Sequence, residues 1–231
     1  YVLEEVLQHD VQLETSSAFD IDLILNLYKN GKIDKERIIV NNGFKTKQYL
    51  HNIANLINSG FKNVIPVIDN KFEFDSYEQM VHKKTKMGIR VATEEEPMFE
   101  FYTSRLGIRS SEIVQFCKDR FTNHSKFELN MLHFFVDTGI KDTTYYWGEL
   151  KKGIKTYIEL KKNFSSLQAI NIGGGLPIRN SLGFEFDYKY MIHQIVQLLK
   201  EACEEENIEE PDIYTEFGKY TVGESGATIF S

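Results

Sequence analysis

The segment INIGGGLPIRN, residues 170–180, joins an apolar run to three consecutive glycines and a proline. The run is typical of the end of a buried strand, and glycine lets a backbone pass where a Cβ would collide. Two explanations of the glycines are open. They form a tight turn packed against a helix, or their amides approach an anion more closely than any side chain would allow.

Short β-rich runs alternate with helical runs along the rest of the chain. The predicted strands are 11–15, 37–41, 63–68, 87–92, 129–136, 167–172 and 212–216. The predicted helices are 18–30, 46–59, 74–82, 109–121, 143–163 and 187–207, and a further helix opens the chain. This alternation predicts an α/β fold with parallel strands and crossover helices, in either an open doubly wound sheet or a (β/α)8 barrel.

A closed barrel needs eight strands, whereas the pattern gives seven strands and a helix at the front. We therefore expect the first strand to precede residue 1, because the leading helix needs a strand to follow. The chain opens without a methionine or a helix cap and stops at TVGESGATIFS (221–231) without a terminal element. Residues 1–231 are thus predicted to be one barrel domain, truncated at both ends.

Composition excludes several classes of function. A formal net charge of −7 argues against a nucleic-acid surface, and the densest basic cluster, HKKTK (82–86), is interpreted as a solvated approach to a strand. No apolar stretch approaches the roughly 18 residues of a membrane span. Cys117 and Cys203 lie far apart, so a disulfide framework is not expected and a reducing cytoplasm fits.

Two glycine-containing loops fall where barrels often bind phosphate. With one strand assigned before residue 1, the glycine triplet follows barrel strand seven and EFGKYTVGESG (216–226) follows strand eight. These two loops frequently form a phosphate site. The candidate phosphate ligands are the backbone amides of Gly173, Gly174, Gly175 and Gly218 and the side chain of Lys219.

Glu216 ends the last predicted strand at the same rim of the barrel. A carboxylate in this position is often a helix cap, a solvated side chain or part of an ion pair. Beside a phosphate-binding loop it has a second interpretation, because pyridoxal phosphate carries a pyridine nitrogen whose proton is held by an acidic partner. Glu216 is the candidate for that partner.

The chain resembles the barrel domain of the fold-type III pyridoxal-phosphate decarboxylases of basic amino acids, a barrel of the alanine racemase/ornithine decarboxylase type. INIGGGLP (170–177) is similar to the phosphate-binding GGG loop of that family, and YTEFGKYTVGESG (214–226) to its Glu-Pro-Gly-Arg segment. The NGFK stretch (42–45) is more similar to the arginine decarboxylases than to the diaminopimelate or ornithine enzymes. GIRVATEEEPMFEFYTSRLGI (88–108) is similar to the family's strand five and the Ser-Lys-Phe-Gly element after it.

The chain departs from the family pattern at several positions. Phe135 stands where the family has a histidine that stacks on the cofactor ring; a phenyl ring can stack but cannot donate a hydrogen bond. Thr138 replaces a serine that meets the phosphate and keeps the hydroxyl. Lys219 replaces an arginine, which keeps the charge and loses the bidentate fork.

The resemblance implies pyridoxal 5'-phosphate as cofactor and decarboxylation of a small-molecule amino acid, L-arginine to agmatine above all, in polyamine biosynthesis in the cytoplasm. It also implies a C-terminal β-domain and a homodimer or higher homo-oligomer. No residue is assigned to a metal. The alternatives are a diaminopimelate- or ornithine-type decarboxylase and a non-catalytic decarboxylase-like regulatory protein.

The lysine that forms the Schiff base lies, in the resembled family, on barrel strand one, ahead of Tyr1 here. The other lysines offer no obvious substitute: Lys45 and Lys47 open a helix, and Lys219 is better placed for phosphate. We therefore expect residues 1–231 by themselves to be inactive, with the catalytic role of Glu216 expressed in the full-length protein.

Overall fold

Seven of the eight parallel strands in the described residues lie side by side in the order in which the chain forms them. The computed structural model describes residues 2–93, 106–136, 138–178 and 184–223. The strands are β1 (Leu13–Thr15), β2 (Ile39–Asn41), β3 (Val64–Ile68), β4 (Thr85–Ala92), β5 (Ile108–Arg109), β6 (Phe127–His133), β7 (Ala169–Asn171) and β8 (Asp212–Tyr214). The sheet order is β1-β2-β3-β4-β6-β7-β8, and β5 pairs with β4 beside this path. A doubly wound sheet would reverse its order at a switch point, so the barrel prediction is confirmed.

The helices follow the strands as the sequence pattern predicts. They are α1 (Val2–Val6), α2 (Ala18–Lys29), α3 (Lys47–Asn58), α4 (Lys71–Met80), α5 (Ser110–Phe121), α6 (Thr144–Asn163), α7 (Tyr188–Glu205) and α8 (Gly218–Val222). Helix α4 begins earlier than predicted because the side chain of Asn70 accepts hydrogen bonds from the amides of Phe72 and Glu73, at 3.1 and 3.2 Å.

Two short elements were not predicted. Strand β5 has two residues, too few for a period to be visible. Helix α8 lies in the segment that we predicted to be a glycine-containing loop, so Gly218 and Lys219 form the first turn of a five-residue helix. Residues 94–105 of the segment 88–108, which the sequence analysis compares with the family's strand five and Ser-Lys-Phe-Gly element, lie outside the described residues.

The two faces of the sheet have separate cores. Helix α3 packs an apolar stripe on the outer face, where Ile53, Leu56 and Ile57 are buried. The inner face holds a smaller cluster of Val40, Ile65, Val67, Met131 and Ala169. Since side chains alternate along a strand, the residues two positions beyond this cluster also point into the barrel, at the carboxyl ends of the strands.

Within the described residues, no helix is both long and apolar enough to cross a bilayer. Cys117 and Cys203 are both buried free thiols, as expected from their separation. Burial raises the pKa of each thiol, Cys117 most clearly.

Candidate functional site

Polar side chains converge inside the barrel at the carboxyl ends of the strands. The register pairs Arg90 with His133 across β4 and β6, and His133 with Asn171 across β6 and β7. These residues lie two positions beyond the apolar inner cluster and therefore share its face. The polar residues that follow or end the strands here are Asn42, Asp69, Arg90, His133, Asn171 and Glu216.

Glu216 is held at this end by two neutral amides. Asn171 Nδ2 donates to Glu216 Oε1 at 2.6 Å, and Asn42 Nδ2 donates to the same oxygen. The described residues give Oε2 no hydrogen bond, and the side chain is 20% exposed. Burial raises the pKa of the Glu216 carboxyl, while the two amide hydrogen bonds lower it. The site therefore orients the carboxylate without neutralising it.

His133 lies beside this carboxylate but does not pair with it as an ion. His133 Nε2 is 3.6 Å from Glu216 Oε1, and neither ring nitrogen has a hydrogen bond from the described part of the chain. Burial, and then the charges of Arg90 and Lys45, lower the pKa of His133 well below its usual value. The imidazole is therefore neutral at physiological pH.

The glycine triplet is required by the backbones around it. Gly173 has φ +70°, its amide donates to Asn171 Oδ1 at 2.9 Å, and its carbonyl accepts from the amide of Glu216 at 2.9 Å. A Cβ on Gly174 would collide with the carbonyl oxygen of Glu216, and one on Gly175 would lie 2.7 Å from Gly139 Cα. The close packing of neighbouring loops thus explains the bare backbone.

The same loop also presents two backbone N–H groups that have no hydrogen-bond partner among the described residues. The N–H groups of Gly174 and Gly175 make no hydrogen bond to any described residue, although Gly174 is buried and Gly175 is half-buried. Buried amides without a partner are rare in proteins, so a site that leaves two of them free has room for an acceptor. The two explanations of the glycines are therefore compatible, because packing fixes the loop and leaves its amides available.

A cavity of about 780 Å³ opens between this loop and the residues after β6 and β8. Its wall includes an apolar part formed by Leu176, Pro177, Phe184 and Phe186. The predicted site residues that line it are Phe135, Thr138, Gly174, Gly175, Glu216 and Lys219. Gly173 lies behind this lining, packed on the Phe135 ring, and Gly218 is exposed at the start of α8. Within the described residues, no group of three or more His, Cys, Asp or Glu side chains could hold a metal ion.

Sequence reasoning missed a buried charge network beneath the cavity, formed by Lys45, Asp69, Glu73 and Arg90. We expected Lys45 at the opening of a helix, whereas its side chain is fully buried between β2 and β3. Arg90 could have been found, because it interrupts the apolar run GIRVA (88–92) and a buried arginine needs a partner. The burial of Lys45 has no such local signal.

Glu14 adds a further negative charge on the inner face. The register pairs it with Val40 of the inner cluster. The side chain of Glu14 on β1 is partly exposed to solvent. Removal of water by the surrounding protein nevertheless raises the pKa of its carboxyl to about 7, and the negative charges of Glu216 and Asp20 raise it as well.

The chain matches the family model described as "Pyridoxal-dependent decarboxylase, pyridoxal binding domain" over residues 1–223. It is 26% identical over 249 residues to the biosynthetic arginine decarboxylase of Prochlorococcus marinus (strain AS9601), with 100% of this chain and 38% of that protein covered. It is 25% identical over 231 residues to the biosynthetic arginine decarboxylase of Geobacter sp. (strain M21), with 93% of this chain and 35% of that protein covered. The chain thus spans little more than a third of these relatives.

Solved structures share the fold at lower identity. The biosynthetic arginine decarboxylase of Campylobacter jejuni has a TM-score of 0.67 and 22% identity, with 91% of this chain and 35% of that chain covered. The diaminopimelate decarboxylase of Helicobacter pylori, complexed with L-lysine, has a TM-score of 0.73 and 16% identity, with 95% and 54% covered. These structural similarities show that the chain and the two solved structures share a barrel fold.

Proposed function

The chain belongs to the pyridoxal-dependent decarboxylases, through their pyridoxal-binding domain, and on that premise we propose that the rim cavity holds pyridoxal 5'-phosphate. The protein that contains the chain then decarboxylates a basic amino acid, with L-arginine as substrate and agmatine as product. We further propose that residues 1–231 act as one barrel domain, and that the whole protein is a cytoplasmic homo-oligomer in polyamine synthesis.

One observation carries the cofactor proposal. Glu216 is a carboxylate whose hydrogen bonds from the described residues all come from neutral amides, and it faces the same cavity as the Gly174 and Gly175 amides, which have no partner among those residues. A phosphorylated pyridine offers both the acceptor oxygens that the amides need and the cationic nitrogen that the carboxylate needs. The residues present therefore fit this cofactor.

The chain's own groups have separate tasks in this proposal. Glu216 holds a proton on the ring nitrogen, so that the ring stays cationic. Gly174 and Gly175 bind the phosphate through their amides, with the ammonium of Lys219 and the hydroxyl of Thr138 on the same cavity. Phe135 offers an apolar ring face for stacking.

Pyridoxal phosphate, when bound, supplies an electron sink for the charge left by departing carbon dioxide. The protein must keep that sink effective. A protonated ring nitrogen withdraws more charge than a neutral one, and an ionised Glu216 favours the protonated form. The apolar wall at Leu176, Phe184 and Phe186 limits water near the ring, which strengthens this pairing.

The arginine assignment is supported by the names of the curated relatives, at 25 to 26% identity. An assay of carbon dioxide release by the full-length protein from arginine, ornithine, lysine and diaminopimelate tests it. We expect arginine to give the highest kcat/KM. A higher value for another substrate would change the substrate, and cofactor binding without any release would favour a regulatory protein.

A further inference from the structure

Lys45 is a buried cation to which the proposed function assigns no task. Its side chain is 0% exposed, and Nζ donates to the carbonyl oxygens of Gly43 and Val67 at 2.8 and 2.5 Å. Nζ also lies 3.3 Å from Glu73 Oε2 and 3.8 Å from Asp69 Oδ2. A lysine removed from water in this way is costly unless it is paired, so its partners identify its role.

The two carboxylates around Lys45 differ in how they are satisfied. Glu73 Oε2 accepts from the amide of Asp69 at 3.0 Å, and Glu73 Oε1 accepts from Asn70 Nδ2 at 2.9 Å. Asp69 is equally buried, yet neither of its carboxylate oxygens has a hydrogen bond from the described residues. The Asp69 carboxylate therefore has two cations as its charged partners, Lys45 on one side and Arg90 on the other.

Arg90 connects Asp69 to the cofactor cavity. Arg90 Nη1 is 3.8 Å from Asp69 Oδ1, and its guanidinium carbon is 5.8 Å from the centre of the Phe135 ring, which lines the cavity. Burial lowers the pKa of Arg90, whereas Asp69 and Glu216 raise it, and Arg90 in turn lowers the pKa of Glu216. The position of this guanidinium thus affects both Phe135 and Glu216.

We propose that Lys45 is a positioning residue for the cofactor site. Its ammonium lies beside the buried Asp69 carboxylate and compensates its charge, and Asp69 holds Arg90 in place. Arg90 then stays beside the Phe135 ring that lines the cavity. This inference rests on the proposed function and adds to it a residue that lies outside the cavity wall.

The pKa of Glu216 also depends on several charged groups that lie nearer to it than Lys45 does. The titratable or charged groups that face Glu216 are Glu14 from β1, Asp69 after β3, Arg90 from β4 and His133 from β6. Loss of the Lys45 ammonium leaves the Asp69 carboxylate with Arg90 as its remaining neighbouring cation, and Arg90 is drawn from its present position beside Phe135 toward Asp69. Glu216 then takes up a proton at a higher pH, and cofactor binding fails at a higher pH on its acid side.

The test compares the full-length wild type with Lys45→Met, Asp69→Asn and the double variant. We expect Lys45→Met to weaken pyridoxal phosphate binding about tenfold and to move the acid limit of binding upward by about one pH unit. The double variant should show no further loss beyond Asp69→Asn alone, because Lys45 acts through Asp69 in this inference. Equilibrium dialysis over a range of pH measures these quantities, and urea unfolding of each variant separates them from stability.

Lys47→Met is the matched control, since Lys47 begins α3 and is exposed. We expect it to bind the cofactor as the wild type does. If Lys45→Met does not fold, Asp69→Asn and Glu73→Gln decide. The inference expects Asp69→Asn to move the acid limit and Glu73→Gln to leave it unchanged.

The outcomes separate this inference from the proposed function. A wild type without affinity for pyridoxal phosphate overturns the proposed function, and the positioning role falls with it. A wild type that binds, together with Lys45→Met of equal affinity and pH profile, overturns only the positioning role. Losses in the double variant that equal the sum of the two single losses have the same meaning, because they give Lys45 an effect that does not pass through Asp69.

Discussion

The two ends of the barrel interior use the same strands for different purposes. At the base, Val40, Ile65, Val67, Met131 and Ala169 form an apolar cluster. At the carboxyl ends the interior is charged, and buried groups such as Asp69 and His133 have polar atoms that receive no hydrogen bond from the described part of the chain. Apolar burial contributes to folding, whereas unsatisfied polar groups cost free energy. The apolar cluster at the base therefore offsets the free-energy cost of the buried polar groups at the carboxyl ends.

Shortening a side chain of the apolar cluster at the base is expected to have the largest effect on the free energy of unfolding. Met131 is 0% exposed in the apolar cluster, so Met131→Ala should lower the free energy of unfolding by about 2 to 5 kcal/mol through lost burial and the cavity left behind. Urea unfolding measures this loss. Met131→Leu is the control and should cost less than about 1.5 kcal/mol. A Met131→Ala variant of unchanged stability would contradict the role given to the base.

A substitution in the glycine triplet should affect both stability and binding. A Cβ at Gly174 would collide with the carbonyl oxygen of Glu216, and backbone shifts of this kind cost about 1 to 3 kcal/mol. We expect Gly174→Ala to lose cofactor affinity as well, because the displaced amide and Glu216 belong to one site. Gly148→Ala is its control, since an added Cβ on that α6 glycine meets nothing within 4 Å. Equal behaviour of the two variants would argue against the close approach.

Loss of the Glu216 charge should affect turnover more than folding. In the full-length protein Glu216→Gln should lower kcat by at least about tenfold, equivalent to about 1.4 kcal/mol of transition-state stabilisation. Steady-state kinetics with arginine measures the change. Glu128→Gln, at the exposed amino-terminal side of β6, is the control and should keep wild-type kcat. An unchanged kcat in Glu216→Gln would assign this carboxylate to structure.

The smallest effect is expected from Glu14. Its pKa of about 7 in the folded chain exceeds the ordinary value of 4.5, so the folded state binds the proton more tightly than the unfolded state does. Stability from this group is therefore present below pH 4.5 and is lost as the pH rises through 7. Glu14→Gln should flatten this part of the dependence of Tm on pH. A slope that is unchanged by the substitution would show that solvent cancels the shift.

Local patterns were sufficient to predict the strands, the main helices and the position of Glu216. Each β-rich run and the helical run after it can be recognised by itself, so missing two short elements did not change the predicted fold. Strand β5 and helix α8 were missed because two and five residues are too few to show a period. A functional site also requires contacts between residues from different strands and helices, and such contacts produce no pattern in the local sequence.

The amide partners of Glu216 illustrate this limit. Asn42 and Asn171 are unremarkable polar residues in the sequence, and their amides meet the carboxylate only after the barrel curls. The glycines were visible as glycines, but the backbone that requires them, at Gly139 and Glu216, was not. Lys45 was placed only at the opening of a helix, because the Val67 carbonyl and the two carboxylates that surround it come from other segments.

The hydrogen bond between Asn42 and Glu216 joins residues 174 positions apart, which has a consequence for folding during synthesis. Chains emerge from the ribosome amino terminus first, at roughly 5 to 20 residues per second, and contacts between distant residues form late. Strands β1 to β7 can pair and bury the apolar base before residue 216 has been made. We therefore expect a stage of synthesis at which the base can form before the cofactor site does, and a cofactor that binds Glu216 would select chains in which β8 is in place.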